Sequence, residues 1–267
     1  CIVPVGAYLR TYTATDDCGN TSTAEQIITL VDDVAPVIDM EAADETIECD
    51  GMGNLTALNA WLDSNGGASA IDNCSNIEWS NDYVALNDDC GATGSVTVIF
   101  TATDDCDNAS STAATFTIED TTAPDMTDAS DQTVECDGMG NMDALNAWLD
   151  SYGGATASDI CSGVTWSSDY EGLSDGCGAT GSSTVTFTAT DDCGNASSVS
   201  ATFTIEDTTD PVFEPFMSTI MVECTDGNYS SPDYQPLTAT DDCSGVEYEI
   251  ESICTVSYTH LTLPTKA

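Results

Sequence analysis

From Ser95 to Thr103 the chain alternates, with Val96, Val98, Phe100 and Ala102 on one face and mostly threonine on the other. A period of two is the signature of a half-buried strand. Ser183 to Thr190 repeats the pattern with Val185, Phe187 and Ala189. Each run is followed by a tight turn, Asp-Asp-Cys-Asp-Asn or Asp-Asp-Cys-Gly-Asn, and then by a second alternating run, Ala114 to Ile118 or Ala201 to Ile205, which ends at Glu-Asp-Thr-Thr. Two such runs across a turn predict a hairpin. Upstream, Glu45 to Cys49 reads as a strand. Asn54 is placed to cap a short helix over residues 55–64 that Gly66 and Gly67 stop, and Ile77-Glu-Trp79 begins another strand. Short strands at close intervals predict an antiparallel sandwich. Trp79 and Trp166 are expected in its core, with Trp61 and Trp148 pinning the helix to the sheet.

The pattern copies itself. Glu48 to Asn54 returns as Glu135 to Asn141, and Cys49, Cys74, Cys90 and Cys106 recur 87 residues later as Cys136, Cys161, Cys177 and Cys193. A repeat of this length is one small domain. Cys1 and Cys18 match the last two cysteines of a repeat, and Cys224, Cys243 and Cys254 match the first three. The expected organisation is the C-terminal half of a repeat (1–34), complete repeats at 35–122 and 123–209, and the N-terminal part of another (210–254). The chain therefore reads as an excerpt from a longer array. The fold class expected is all-β: tandem immunoglobulin-like antiparallel β-sandwiches, each with one short inserted helix. Residues 255–267 break both pattern and composition and resemble translated sequencing adaptor, so no function is assigned to that tail.

Forty-seven acidic residues against one Arg and one Lys give a formal charge of -45. That balance repels nucleic acid phosphates and anionic lipid headgroups, so neither nucleic acid nor direct membrane insertion is expected. The acids are scattered among Thr, Ser, Ala and Gly with aromatic and β-branched residues between, unlike the blocks of disordered tails. Thirteen cysteines at fixed spacing, with no Cys-x-x-Cys and a single His in the tail, suit a disulfide framework made outside the cytosol and not a zinc site. The expected location is extracellular or the cell surface.

Cys90 and Cys106 flank one extended strand and lie too far apart to bond, which leaves two connectivities within a repeat. In an immunoglobulin-like sandwich the loop carrying Cys74 and the hairpin turn carrying Cys106 share one end, while Cys49 and Cys90 lie toward the other. The expected bonds are Cys49–Cys90 and Cys74–Cys106, repeated as Cys136–Cys177 and Cys161–Cys193. Each is worth about 4 kcal/mol by chain entropy.

The motifs Thr-Ala-Thr-Asp-Asp-Cys-Gly-Asn (13–20 and 188–195), Glu-Asp-Thr-Thr-Ala-Pro (119–124), Glu-Thr-Ile-Glu-Cys-Asp (45–50) and Asp-Asn-Cys-Ser (72–75) resemble hyalin-repeat (HYR) and related immunoglobulin-like modules. Such modules are strung along large secreted or surface proteins, including those of Bacteroidota. The resemblance covers nearly all of residues 1–254 and implies adhesion or a structural spacer without chemistry. The inserted helix and the high acidity depart from the commonest pattern.

The turns near the expected upper disulfide gather Asp72, Asp104 and Asp105, copied as Asp159, Asp191 and Asp192. The linker acids Glu119 and Asp120 arrive at the next copy of that end. Glu206 and Asp207, with Asp241 and Asp242, extend the series. Like charges packed so closely call for a cation, and Ca²⁺ is the hard, oxygen-seeking candidate outside cells. The plainer alternative is that these are solvated turn residues, since Asp and Asn suit turns by bonding their own backbone. Without a usable His there is no Ser-His-Asp or Cys-His arrangement, and the chain is read as not an enzyme. Asn20-Thr-Ser and Asn108-Ala-Ser are N-glycosylation sequons, and Asp120-Thr-Thr and Asp207-Thr-Thr resemble the O-glycosylation signal of Bacteroidota. The expected partners are neighbouring repeats, with surface glycans or other cell-surface proteins as external candidates. The competing reading is a carbohydrate-binding array using Tyr83 and Tyr170 as platforms, or a non-catalytic appendage of an extracellular hydrolase.

Overall fold

The computed structural model describes residues 7–216 and 237–247. Cys1, Cys224, Cys254 and the tail 255–267 lie outside them. The chain divides into two compact units: residues 1–127 with 156–168 and 187–199, and residues 128–155 with 169–186 and 200–267.

The first unit opens with a hairpin of β1 (Tyr8–Thr15) and β2 (Thr21–Ile28), paired from Tyr8↔Ile28 to Thr15↔Thr21. The repeat that follows consists of β3 (Val37–Met40), β4 (Glu45–Glu48), α1 (Leu55–Asp63), β5 (Ser69–Ile71), β6 (Ile77–Asn81), β7 (Asn87–Asp88), β8 (Gly94–Asp104) and β9 (Ala109–Glu119). Its main sheet runs β4-β9-β8-β6, with β7 also on β8, and β3 pairs with β5. The alternation in β8 and β9 builds the core. Val98, Phe100, Ala102 and Phe116 have no exposed surface, and Ala114 and Ile118 are buried beside them. Helix α1 covers this face with Leu58 and Trp61. The Trp61 ring centroid sits 5.1 Å from that of Phe100 and 5.4 Å from that of Phe116, and its Nε1 donates to the Ala43 carbonyl at 3.1 Å. The fold is thus an all-β sandwich in which a helix occupies part of the second layer.

Three local expectations are revised. The sandwich is not wholly antiparallel, because β4 pairs with β9 in parallel, Glu45↔Phe116 through Glu48↔Glu119. Asn54 precedes the helix but makes no side-chain cap; its φ is 51°. Its amide instead accepts from Asp50 N and donates to the Glu48 carbonyl, closing the loop between β4 and α1. Trp79 is half-buried at the rim of the core and not inside it, because β6 is the outer strand of the sheet and only one of its edges is covered. The glycine stop behaves as expected. Gly66 has φ +64°, and a Cβ there would lie 3.0 Å from both Ala42 Cβ and Phe100 Cε2.

In the next repeat the order recurs as β10 (Asp125–Met126), β11 (Gln132–Glu135), α2 (Met142–Asp150), β12 (Ala157–Ser158), β13 (Val164–Ser168), β14 (Gly181–Asp191) and β15 (Ala196–Glu206). Within the first unit β10 pairs with β12, and β13 pairs with residues 187–191 of β14. Within the second unit β11 pairs in parallel with residues 203–206 of β15. There Trp148 lies 5.5 Å from Phe203, centroid to centroid, and donates from Nε1 to the Ser130 carbonyl. Two short strands follow, β16 (Val212–Phe213) and β17 (Ala239–Thr240), which pair with each other.

Candidate metal centre at the repeat junctions

The parallel β4–β9 pair sets the geometry of each junction. It leaves Cys49, just past β4, beside the point where the chain exits β9, so that Cys49 N donates to the Glu119 carbonyl at 2.8 Å. The Cys49 sulfur lies 3.8 Å from the Ala92 carbonyl, so Cys49 and the Cys90 turn share this exit pole. The Asp72 loop and the Asp104 turn share the opposite pole, where the Asn76 side-chain amide and backbone N–H both donate to the Asp105 carboxylate.

The bonds themselves run differently from the expected ones. The structure pairs Cys49 with Cys161, Cys90 with Cys193 and Cys136 with Cys243, at Cα separations of 6.0, 5.2 and 6.0 Å. Neither Cys49–Cys90 nor Cys161–Cys193 forms. Cys74 and Cys177 are thiols, as is Cys18, so Cys74–Cys106 and Cys136–Cys177 do not form either, although Cys106 is itself disulfide-bonded. The reason is the exit geometry. The chain leaves a repeat at the pole that holds Cys49 and Cys90, and this seats the Cys161 and Cys193 turns of the following repeat against them. Ala92 N donates to the Cys161 carbonyl at 2.8 Å. Gly91, at φ +58°, is needed because a Cβ there would come within 2.6 Å of the same carbonyl oxygen. In the second unit Ala179 N donates to the Cys243 carbonyl at 2.7 Å, the same contact one repeat on.

Around these contacts the carboxylates converge. Asp32, Asp72 and Asp104 bring ligand atoms within 4.8 Å of one another, and Asp120, Asp159 and the Cys161 sulfur do the same. Cys161 is bonded to Cys49, so the oxygens are the donors on offer there. Asp32, Asp104, Asp120 and Asp191 are 4, 5, 8 and 5% exposed, which makes them buried acids in a chain whose described residues include a single exposed Arg. One oxygen of most of these acids ties its own turn. Asp72 Oδ1 accepts from Cys74 N and Ser75 N, Asp159 Oδ1 from Cys161 N and Ser162 N, and Asp104 and Asp191 Oδ1 from the backbone N–H groups two and four residues on. The turn-residue alternative therefore accounts for one oxygen each of Asp72 and Asp159, and for both oxygens of Asp104 and Asp191, whose Oδ2 atoms accept from the Asn108 and Asn195 side-chain amides. It does not account for Asp120 Oδ2, which is buried with no hydrogen-bond partner.

The electrostatics follow from these contacts. Burial pushes the Asp120 carboxyl above its ordinary value. The Thr122 N–H opposes this, and the charges of Asp159, Asp191 and Glu48 add to it. Burial also acts against ionisation of Asp104 and Asp191, but there the donors from Asn108 or Asn195 and from the turn backbone outweigh it, and both acids sit below the usual range. Asp241 is lowered by the N–H of Cys243, by Ser244 and by a hydrogen bond with Asp207. The Cys74 thiol is raised, first by partial desolvation although the residue as a whole is exposed, then by Asp32, Asp72 and Asp104.

Of the residues expected to form metal sites, Asp72 and Asp104 converge with Asp32, and Asp120 converges with Asp159; Asp191 lies near enough for its charge to act on Asp120, and Asp207 meets Asp241. The side chains of Glu119 and Glu206 point outward at the ends of β9 and β15, where alternation places the residue after a buried Ile on the solvent face. Asp105 and Asp192 brace the neighbouring turns through Asn76 and Gly163 N, and Asp242 is exposed. Sequence reasoning missed Asp32, whose signal was available: it stands four residues before Pro36, as Asp120 stands before Pro124. It also missed Glu48, whose carboxylate accepts from Thr121 N, Thr121 Oγ1 and Thr122 Oγ1 at 2.9, 2.9 and 2.7 Å. Those donors, the Thr122 hydroxyl foremost, hold Glu48 below its usual range. Glu135 clamps Thr208 and Thr209 in the same way, so the hydroxyls of both Asp-Thr-Thr motifs are already engaged. Tyr83 and Tyr170, the candidate sugar platforms, are half-buried, and Tyr83 packs against the core.

No protein-family profile and no curated protein matches this sequence. Among solved structures the chain is similar to the protocadherin gammaB4 extracellular domain, with 16% identity, 91% of this chain and 46% of that one covered, and a TM-score of 0.33. It is similar to a protocadherin gammaB7 EC3-6 cis-dimer structure, with 16% identity, 90% and 69% covered, and a TM-score of 0.32. It is also similar to Drosophila N-cadherin EC1-4, with 13% identity, 76% and 58% covered, and a TM-score of 0.27. The chain spans 46 to 69% of the length of these three structures.

Proposed function

We propose that this chain is a non-catalytic structural and adhesive segment of a larger secreted or cell-surface protein, HYR-like in its motifs, with adjoining repeats tied by disulfides and stiffened by Ca²⁺ at their junctions. The observation that carries the cation is Asp120 Oδ2. A buried, unpartnered carboxylate oxygen facing Asp159 and Asp191 is unfavourable alone, and a hard cation that takes only oxygen ligands relieves it. The residues that would hold the ion at this junction are Asp120, Asp159 and Asp191, with Asp32, Asp72 and Asp104 as their counterparts one junction earlier. Bound there, Ca²⁺ supplies positive charge and no reaction. The protein's own part is to preset the oxygens: Asn195 Nδ2 donates to the Asp120 carbonyl at 3.0 Å and to Asp191 Oδ2 at 2.9 Å, linking the linker to the receiving turn before any ion arrives. Disulfides that cross repeats support an oxidising compartment.

The test is thermal melting of the intact chain without reductant, in excess Ca²⁺ and in chelator. At 100 times its dissociation constant the ion should add about 2.7 kcal/mol. A melting temperature that does not move, or that moves equally in Asp120→Asn, removes the cation from the reading.

A further inference from the structure

The three described disulfides obey one rule. A cysteine following the first sheet strand (Cys49, Cys136) bonds the loop cysteine of the next repeat (Cys161, Cys243), and the cysteine preceding the long strand (Cys90) bonds the next repeat's hairpin-turn cysteine (Cys193). The three free thiols are copies of these same positions. Cys74 corresponds to Cys161, Cys177 to Cys90, and Cys18 to Cys193, and all three are exposed.

We infer that Cys18, Cys74 and Cys177 are half-cystines of a continuous inter-repeat ladder, each a covalent docking point for a cysteine on an adjoining repeat of the same kind. Cys177 takes a hairpin-turn cysteine from the repeat that follows, Cys74 a strand-end cysteine from the repeat that precedes, and Cys18 a cysteine ahead of a preceding long strand. Two observations besides the thiols point to that ligand. The equivalent of each thiol is bonded in this same structure, to the partner position named. The surroundings of Cys177 are also already assembled for it. In the bonded junction the residue two past Cys90 donates to the carbonyl of Cys161, and in the second unit Ala179, two past Cys177, donates to the carbonyl of Cys243. Gly178, at φ +62°, repeats Gly91, lying so close to the Cys243 carbonyl that any side chain would collide with it. The non-covalent half of the junction is therefore built beside a sulfur that lacks only its partner.

Closure joins two thiols as S–S and delivers two electrons and two protons to a small-molecule disulfide such as oxidised glutathione, which leaves as two thiols. The inference rests on repeat-to-repeat bonding and not on the cation.

Two measurements test it. The unaltered chain, refolded in a glutathione redox buffer and alkylated without reduction, should carry the label at Cys18, Cys74 and Cys177. A mass-mapped bond from Cys74 to Cys106, or from Cys177 to Cys136, overturns the rule. In a chain with residues 123–209 duplicated in tandem, Cys177 should lose its label and appear bonded to the inserted copy of Cys193, while the new copy of Cys177 becomes the labelled thiol. If Cys177 stays labelled in a duplicated chain that melts cooperatively, the inference fails. Unchanged melting in Ca²⁺ would leave both results standing, so failure of the cation and failure of the ladder are separable.

Discussion

The junction at Asp32 and the junction at Asp120 use the same three carboxylate positions, 87 or 88 residues apart, yet they leave the linker acid in different states. At the upstream junction both Asp32 oxygens have donors in reach: Oδ1 accepts from Val34 N at 3.3 Å, and Oδ2 lies 3.3 Å from the Ser75 hydroxyl, whose one proton it shares with Asp72 Oδ1 at 3.2 Å. At the downstream junction the equivalent hydroxyl, Ser162 Oγ, turns to the Gly163 carbonyl and accepts from Asp192 N, so Asp120 Oδ2 is left bare. Both receiving cysteines of the downstream junction are bonded, Cys161 to Cys49 and Cys193 to Cys90, whereas of their upstream counterparts Cys106 is bonded and Cys74 is a free thiol. One rotation of a serine hydroxyl is thus the difference between an acid satisfied by protein and an acid open to a cation.

The contrast is broken most severely at the sulfurs. Replacing Cys49 and Cys90 together by Ser should cost at least about 4 kcal/mol in urea unfolding without reductant, because each bond closes a loop of more than a hundred residues. Cys74→Ser should cost almost nothing by the same measurement. Equal losses would mean that the two junctions are not differently tied.

A smaller effect sits on the linker acid. In chelator, Asp120→Asn should stabilise the chain by about 2 kcal/mol at neutral pH by removing an unpartnered buried charge. The pH dependence has a definite sign. The folded state holds the Asp120 proton to higher pH than the unfolded state, so stability is lost as pH rises from the ordinary carboxylate value through the raised one. That fall should vanish in Asp120→Asn. Asp104 and Asp191 act oppositely: their contribution is complete above the ordinary value and is lost as pH falls through their lowered values. The smallest effect is Ser75→Ala, about 1 kcal/mol, which strips the donor from Asp32 Oδ2. It should make the upstream junction more responsive to Ca²⁺ in a melting titration, while Ser162→Ala leaves the downstream response unchanged.

Strands, helix and core could be read from the sequence because each rests on local periodicity: Val98, Phe100 and Phe116 declare their faces without knowledge of the rest of the chain. The parallel β4–β9 pair was not legible, since alternation gives the face of a strand and not its neighbour. Disulfide pairing failed for a deeper reason. In a repeating sequence Cys74 and Cys161 are the same position modulo one period, so spacing alone cannot tell whether Cys49 bonds inside its own repeat, as in the expected Cys49–Cys90, or reaches Cys161 of the next. Only the direction in which the chain leaves β9 decides it. Most of the carboxylates that converge were visible as Asp beside Cys in turns. The fate of each second oxygen, which separates Asp32 from Asp120, depends on a serine rotamer that no spacing encodes.

The crossed sulfur bonds have a consequence for survival among secreted proteases. The spans 49 to 161, 90 to 193 and 136 to 243 overlap, so between Cys49 and Cys243 every peptide bond is bridged by at least one of them. A single nick anywhere in that stretch releases no fragment, and the chain stays in one piece until a reductant or a second cut arrives.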